Sequence, residues 1–474
     1  MAAQALAGLV VAASLLAAGA ALRLAQGPIS LEAFKPVLEG ALADAAPGVR
    51  VAVGSATLAW AGRQRGIDVR LTDVQVTSAD EKPLAQAGAL QIGISPLSLV
   101  ERKLLIEDIE VFSASVQLIR AADGHFQIAL AGVDRTEAEG ALLGGFLASK
   151  RDPSLPLSYL NHIRLTDARL DVIDSDGGQL LSARVPTAGV RRAGSGLSVD
   201  AQVIAIEGSE SGGIDLLGTF KAETDTLDLQ ASLKGLNPAR FAATAAPLQP
   251  LAAVDLPLHG SVRFRASGAG VIQALDAQLT ADSGQLVLTE AVAQALGEPA
   301  LAQALKVKGG TLAASVDLSA QAFELRELAV DFAEGNEVRL PPPVDHSYPL
   351  TRLKARARAT PAQVTVEHLE LDLAGPLITA AIEADRLASP PTAQLKAVAE
   401  GLPVDAFRRY WPPRLAPGGY TWSVAHLSTG KVERADLTAA LVLKPEGIAV
   451  DALSGTFNAR NVTVAYLPPL PAVR

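Results

Sequence analysis

The sequence contains no cysteine and few aromatic residues. None of its 474 residues is Cys, which excludes disulfides, thiol nucleophiles and thiolate metal sites. Aromatic residues make up 4% of the chain although hydrophobic residues make up 49%. The apolar content therefore consists mainly of Ala, Leu and Val. These residues line a surface well but fill a deep interior less well than aromatic side chains do.

Basic residues are also too few for a nucleic-acid partner. The formal net charge is -9 and the pI is near 5.3, whereas nucleic-acid binding needs a basic surface. The six histidines lack metal-ligand spacing, and the chain has no phosphate-binding loop and no nucleophile elbow. We therefore expect no enzyme activity, no cofactor, no metal site and no nucleic-acid partner.

Charge is absent from the first 22 residues, where Arg23 is the first charged side chain. Residues 6–24 are rich in Ala, Leu and Val, and about 20 apolar residues span a bilayer as a helix. We predict a transmembrane anchor at residues 1–25. A cleavable signal peptide is the alternative, because small residues at 18–21 resemble a cleavage site.

Four regions follow from the patterning. After the anchor, residues 26–134 are predicted to hold an N-terminal helix over 29–46 and then a series of strands. Residues 135–158, with Arg151-Asp152-Pro153, indicate a helical and Pro-containing linker. Residues 159–474 are predicted to form an elongated β-region. Apolar alternation still runs at Val464, so we expect the native protein to continue beyond Arg474.

A bent strand recurs along the chain. In the segment around Asp167, apolar residues alternate with polar ones up to Leu165, skip one step, and resume at Ala168. Alternation with period two is typical of a strand with one buried face, and a skipped step indicates a bulge or bend. The same pattern predicts pivots at Asp73, Asp108, Asp167 and Asn461.

Many one-sided strands can form either a closed sandwich or an open groove. Small apolar residues and few aromatics favour the groove. We therefore predict a mostly β fold: a long curved antiparallel sheet forming an open hydrophobic groove, with the N-terminal transmembrane helix and a few short helices. The residues predicted to line it are Leu71, Val74, Val76, Ile106, Ile109, Val111, Leu165, Ala168, Leu170 and Val172.

One strand carries a regular row of cations. Period two places Arg352, Lys354, Arg356 and Arg358 on one face of the segment 352–359. One interpretation is a solvated outer face that also prevents edge pairing. The other is a patch for anionic headgroups or an acidic partner, since four aligned positive charges repel one another without an anion nearby.

The order of these segments resembles the YhdP branch of the AsmA-like bacterial envelope proteins. The resemblance covers nearly the whole chain and is carried by the anchor, the bent strands, the segment 156–170, and above all 407–418 with its Tyr410-Trp411-Pro412, followed by 422–432. The family typically has Trp-Val and then Asn-Leu in the last segment. Here Ser423 is inserted and His426 replaces the Asn, which predicts a slightly irregular local helix.

This resemblance implies a location and a function. Members form a bridge-like β-groove, anchored by a single pass in the bacterial inner membrane with the bulk of the chain in the periplasm. They carry phospholipids toward the outer membrane and have no catalytic residues. The leading hypothesis is therefore a non-enzymatic phospholipid conduit. The alternatives are an envelope assembly factor that pairs with strands of outer-membrane or other periplasmic proteins, and a purely structural periplasmic scaffold.

Overall fold

The structure, a computed structural model, is mostly β. It describes residues 27–36, 39–40, 49–60, 67–78, 83–95, 98, 105–120, 126–128, 151, 156–174, 178–207, 210–242, 246–268, 271–288, 303–340, 346–413, 416–444 and 447–465. Residue contacts divide the chain into a first unit, Met1–Leu229, and a second unit, Gln230–Arg474. The division falls inside strand β12 (Thr226–Leu236).

The described residues of the first unit form eleven strands and the start of β12. They are β1 (Ile29–Ser30), β2 (Val49–Ala52), β3 (Ser55–Trp60), β4 (Ile67–Ser78), β5 (Pro83–Ile94), β6 (Ile106–Arg120), β7 (Phe126–Ile128), β8 (His162–Asp174), β9 (Gln179–Ala193), β10 (Gly196–Glu207) and β11 (Glu210–Lys221). Short 3₁₀ helices occupy Glu32–Phe34 and Pro156–Tyr159.

Neighbouring strands of the first unit pair in antiparallel fashion along β3, β4, β5 and β6, and again along β8, β9, β10 and β11. Strands β6 and β8 join these two runs by pairing in parallel, with Val111 opposite Leu165. Parallel pairing requires a crossover connection. The predicted linker 135–158 belongs to that crossover and lies mostly outside the described residues.

The second unit contains β13 (Val254–Asp255), β14 (Leu258–Ser267), β15 (Ile272–Ala281), β16 (Gly284–Leu288), β17 (Gln303–Asp317), β18 (Ala322–Phe332), β19 (Glu337–Leu340), β20 (His346–Pro349), β21 (Arg352–Ala359), β22 (Gln363–Asp372), β23 (Leu377–Asp385), β24 (Thr392–Pro403), β25 (Lys431–Lys444) and β26 (Gly447–Arg460). Its helices are 3₁₀ turns at Pro238–Phe241, Ala246–Ala253 and Val404–Ala406, then α1 (Phe407–Tyr410) and α2 (Pro417–His426).

Antiparallel pairing in the second unit runs in one series from β14 through β15, β17, β18 and β21 to β26. The hairpin of β19 and β20 is a separate two-stranded sheet. Contacts among the described elements are concentrated between ladder neighbours and the short segments at strand ends. Each ladder has two faces, and sequence period decides which residues share a face.

The prediction of a mostly β fold with a long antiparallel sheet and few short helices is confirmed. The predicted helix over 29–46 is wrong at its start. Ile29 and Ser30 form β1 and pair with Leu58 and Thr57, and a 3₁₀ turn follows. Among the described residues, no helix is long and apolar enough to cross a membrane, and the predicted anchor at 1–25 lies outside them.

Candidate functional site: the apolar faces of the sheet

The residues predicted to line a groove share one face of the first unit's ladder. Leu71 pairs with Leu90, Leu90 with Val111, and Val111 with Leu165. Residues directly opposite each other point to the same side of a sheet. This first apolar face contains Leu71, Val74 and Val76 of β4, Ile106, Ile109 and Val111 of β6, and Leu165, Ala168, Leu170 and Val172 of β8.

Burial along the first apolar face varies. Leu71 and Val74 are buried in one cluster that includes Val53 and Ala56. Ala168 is buried in a second cluster, with Val111 and Leu165 packed against it, and Val172 is also buried. The other members of the face are half-buried: Val76, Ile106, Ile109, Val111, Leu165 and Leu170. Part of this face is thus enclosed by the sheet's own side chains, and part remains accessible.

A line of unusual backbone conformations crosses the first unit where the alternation skips. Asp73, Ser113 and Asp167 have left-handed φ values of 50°, 52° and 53°. The pairs on either side place these residues in one row across neighbouring strands. We call this row the crease; it consists of Gly54, Asp73, Gly88, Ser113, Asp167 and Pro186. Strands β4, β5, β6, β8 and β9 and the β2–β3 turn each give one residue to it, so the register from β3 to β9 is the same on both sides of the crease.

Two glycines of the crease are required by close approach. A Cβ at Gly54 would lie 2.9 Å from the Cβ of Asp73, and a Cβ at Gly88 would lie 3.3 Å from the Cβ of Ser113. Real Cβ contacts are rarely this short. The alternation of glycine with small polar residues therefore lets adjacent strands bend at the same level, after which the apolar residues return to one face.

Three of the four predicted pivots have left-handed φ values. Asp73 and Asp167 lie inside their strands, and Asn461, with φ of 55°, directly follows β26. At Asp108 the structure has the other predicted form of a skipped step, a bulge, and φ is not left-handed. The skipped step between Ile106 and Ile109 is a bulge, seen as a register shift against β5. The left-handed residue of β6 is Ser113 instead.

The second unit has an apolar face of its own, which the sequence reading did not assign. Register aligns one aliphatic residue from each of seven successive strands: Leu325, Ala357, Val366, Ile382, Leu395, Ala439 and Leu453. Most are half-buried, and Leu453 on the edge strand β26 is exposed. We call this set and its neighbours on the same side the second apolar face. Period-two counting applied to 322–460 would have found it.

Bending in the second unit uses one-residue bulges. Register shifts identify the extra residue as Arg326 in β18, Glu367 in β22 and Asp451 in β26. None of these three has a positive φ. Each bulge preserves the apolar side of its strand across a skipped step, as the crease does, but it shifts the register because the partner strand has no extra residue.

One end of the second apolar face is closed by protein. Tyr348 and Leu350 pack with Phe332 and Leu373 in a buried cluster, and Tyr410 of α1 contacts it. The Tyr410 hydroxyl donates to the Leu373 carbonyl oxygen at 3.2 Å. Burial raises the pKa of Tyr348 to about 12. The β19–β20 hairpin and α1 therefore cover the face at this end.

Polar side chains occupy the opposite face and pair with one another. In the cationic strand β21, Arg352 lies 2.6 Å from Asp331 and Lys354 lies 2.9 Å from Glu370. Arg358 lies 3.3 Å from Glu324 and 3.3 Å from Glu367. Three of the four predicted cations therefore form ion pairs with neighbouring strands. Arg356 has no ion-pair partner among the described residues. Neighbouring strands thus supply the anions that the aligned cations need.

Charge pairing also lowers the pKa of two carboxyl groups on this face. A hydrogen bond from Lys354 lowers the pKa of Glu370. A hydrogen bond from Arg434 lowers the pKa of Asp436, at an N–O distance of 2.6 Å. These pairs are solvent-exposed and contribute little stability individually. They indicate an outer surface with balanced charge.

The segment that carries the family resemblance folds as two short helices. Phe407 of α1 is buried with Val404 and Val432, and Trp411 packs edge-on against Phe407 with ring centroids 5.7 Å apart. In α2, the His426 ring stacks on Trp422, and its Nδ1 donates to the Trp422 carbonyl oxygen at 2.8 Å. His426 is therefore accommodated inside the helix, by a contact one turn back.

No group of three or more Asp, Glu and His side chains within the described ranges is arranged to hold a metal ion. Comparison with protein-family models gave no match, and comparison with curated proteins gave none either. The described residues place aliphatic rows on one side of the strands and paired charges on the other.

Proposed function

We propose that this protein is a non-enzymatic phospholipid conduit of the bacterial envelope, similar to the YhdP branch of the AsmA-like proteins. In this proposal the sheet forms an open hydrophobic groove, anchored in the inner membrane by residues 1–25 and lying in the periplasm. Phospholipids move between the inner and outer membranes with their acyl chains on the apolar faces. Headgroups remain at the open side of the groove.

The observation that carries the proposal is the pair of apolar faces. Rows such as Leu71, Leu90, Val111 and Leu165 continue from strand to strand, and many members stay half-buried. Leaving such a surface in water is unfavourable by about 25 cal/mol per Å². Extended apolar patches mark binding surfaces, and acyl chains fit a long surface of small aliphatic side chains.

The crease and the bulges support the same function. Each keeps the apolar residues of a strand on one side although the strand bends, as in Leu71, Val74 and Val76 around Asp73. The continuity of the row is what a sliding acyl chain requires.

A charged substitution on the first apolar face tests the proposal. Leu170→Glu is expected to abolish lipid transfer between donor and acceptor vesicles, because an unpaired carboxylate in apolar surroundings is costly to desolvate. Thr219→Glu, an exposed position on the polar side of β11, is the matched control and is expected to retain transfer. Retained transfer by a folded Leu170→Glu variant would contradict a lipid path at this position.

The exposed edge strand favours one second candidate, an assembly factor for outer-membrane proteins. Among the described strands, β26 pairs only with β25, and Leu453 and Phe457 on it are exposed. A free strand edge can accept another strand by backbone hydrogen bonding. A photo-reactive residue at Ser454 would crosslink to client polypeptides in cells if this function is correct, and to lipid or to no polypeptide if it is not.

A further inference from the structure

A cavity of about 400 Å³ opens on the polar face of the second unit. It lies along a row to which four neighbouring strands each give one residue. Gly309 of β17 lies opposite Asp331 of β18. Asp331 also lies opposite Arg352 of β21, and Arg352 lies opposite Asp372 of β22. The volume of the cavity falls in the range of roughly 300–1,000 Å³ that is typical of small-molecule sites.

Two features of β17 shape this cavity. The register shift between Val307 and Gly309 identifies Lys308 as an extra residue, so Lys308 forms a bulge at the end of the row. Gly309 has no side chain to fill the space beside Asp331, and a Cβ there would lie 3.3 Å from the Ala281 carbonyl oxygen. The bulge therefore adds a lysine to the cavity lining at the place where the row itself has no side chain.

The lining carries charges of both signs. Its charged residues are Lys308, Asp331, Glu334, Arg352 and Asp372. One pair among them is internal, since the Arg352 Nε donates to the Asp331 Oδ1 at 2.6 Å. The guanidinium of Arg352 has five N–H donors in all, so this contact leaves others for a second acceptor.

The remaining charges of the lining are not paired with one another. Lys308 and Glu334 have no ion-pair partner among the described residues. Asp372 accepts from the Ala374 N–H with its Oδ1 at 3.1 Å, and its Oδ2 has no hydrogen-bond donor in the described part of the chain. One ammonium group and two carboxylates therefore remain available around the same cavity.

This lining complements a molecule that carries both a cationic and an anionic group. A phosphate can accept from the Lys308 ammonium and from Arg352, and these charge-assisted hydrogen bonds are the stronger ones. An ammonium can donate to Glu334 and Asp372. A ligand with only one sign of charge would lie beside unpaired groups of the same sign. A metal ion is not indicated, since the described Asp, Glu and His side chains include no group of three arranged to hold one.

We propose that this cavity binds a zwitterionic aminoalkyl phosphate, with the phosphate against Lys308 and Arg352 and the ammonium against Glu334 and Asp372. Free phosphoethanolamine has this chemistry, and so does the headgroup of phosphatidylethanolamine. Phe332 lines the cavity and also packs in the buried cluster that covers one end of the second apolar face. A lipid source for the headgroup rests on the proposed conduit, whereas binding of the zwitterion does not.

Calorimetric titration of the full-length chain with phosphoethanolamine tests the site. Inorganic phosphate and ethanolamine, which each carry one of the two charged groups, are the comparison probes. We expect phosphoethanolamine to bind at least about 10-fold more tightly than either, because it alone contacts both halves of the lining. Equal or tighter binding of phosphate or of ethanolamine would overturn the proposal, and so would the absence of phosphoethanolamine binding.

Two substitutions assign the binding to this cavity. Lys308→Gln and Glu334→Gln each remove one charge from the lining and are expected to weaken phosphoethanolamine binding by about 5- to 10-fold. Lys306→Gln and Glu337→Gln are the matched controls, because both residues are exposed and lie outside the lining. Circular dichroism verifies that all four variants are folded. Equal weakening in variants and controls would contradict a site at this cavity.

Competition with dispersed short-chain phospholipids identifies the source of the zwitterion. Displacement of phosphoethanolamine by dihexanoyl phosphatidylethanolamine, but not by dihexanoyl phosphatidylglycerol, would assign a lipid headgroup. Binding of phosphoethanolamine that neither lipid displaces would assign a soluble ligand. Equal displacement by phosphatidylglycerol, which lacks the ammonium group, would overturn the proposal. If the chain binds phosphoethanolamine but transfers no lipid between vesicles, the conduit proposal fails and the zwitterion site stands.

Discussion

The crease of the first unit and the bulges at Arg326, Glu367 and Asp451 of the second unit keep apolar residues on one side of bent strands by different backbone devices. In the first unit, Asp73, Ser113 and Asp167 are left-handed and lie in one row with Gly54 and Gly88. In the second unit, single charged residues are inserted into separate strands as bulges. A row to which neighbouring strands each contribute one residue leaves their register intact, whereas an isolated bulge shifts it. The comparison shows what a skipped step in the sequence predicts. It predicts that the following apolar residues stay on the same side of the strand, but it does not predict whether the backbone is left-handed or bulged there.

The largest expected effect comes from adding a methyl group to the crease. Gly54→Ala would place its Cβ 2.9 Å from the Asp73 Cβ, so backbone must shift. We expect a loss of about 1–3 kcal/mol in the free energy of unfolding, measured by urea denaturation. Gly88→Ala, with a closest contact of 3.3 Å, should lose less.

Asp73→Gly provides the rescue for this prediction. It removes the clashing Cβ and suits a left-handed conformation. The double variant Gly54→Ala with Asp73→Gly should therefore be more stable than Gly54→Ala alone. Strictly additive losses would show that the two positions do not approach as the crease requires.

A smaller loss of stability is expected from substitutions that distinguish the left-handed residues of the crease from the bulges. Asp167→Val places a β-branched residue at a φ of 53° and should cost about 1–2 kcal/mol. Glu367→Val, at a bulge without positive φ, should change stability by about 0.5 kcal/mol or less. Thermal unfolding of both variants measures the difference. Equal losses would mean that the two devices do not differ in backbone strain.

The smallest expected effect is a difference in pH response between the units. Burial and then Arg164 lower the pKa of His162 in the first unit, opposed by Asp108 and Glu110 and reinforced by Arg191. As pH falls, the unfolded state therefore binds the proton first, and stability is lost below the ordinary histidine pKa of 6.5. In the second unit, the hydrogen bond from Lys354 lowers the pKa of Glu370. The stability that this carboxylate contributes is therefore lost only as the pH falls below 4.5, the ordinary pKa of a glutamate.

Melting temperatures of the wild type and His162→Gln at about pH 7.5 and about pH 5.5 measure this contribution. The wild type should lose more stability than the variant between the two values. An identical decrease in both proteins would assign the pH response to other groups.

Sequence patterning predicted the one-sided strands because period two and the skipped step are local properties. It identified Asp73 and Asp167 because the alternation skips a step there; the structure gives both a left-handed φ, which small polar residues tolerate. It missed Ser113 because the expected pivot was acidic, and it missed the glycines because their role depends on the strand opposite. The covering of Leu350 and Leu373 by β19–β20 is a long-range contact, which no short window of sequence contains. Pairing of β6 with β8 likewise depends on a long crossover.

The measurement that tests the central claim most directly is identification of the molecules bound to the apolar faces. The full-length chain is purified from a bacterial envelope in mild detergent, and bound lipids are identified by mass spectrometry. A photo-reactive residue at Leu165 on the first apolar face is compared with one at Thr219 on the polar side. The conduit account predicts co-purified phospholipid and a lipid adduct at position 165 but not at 219. Absence of phospholipid, with no adduct at position 165, would contradict it.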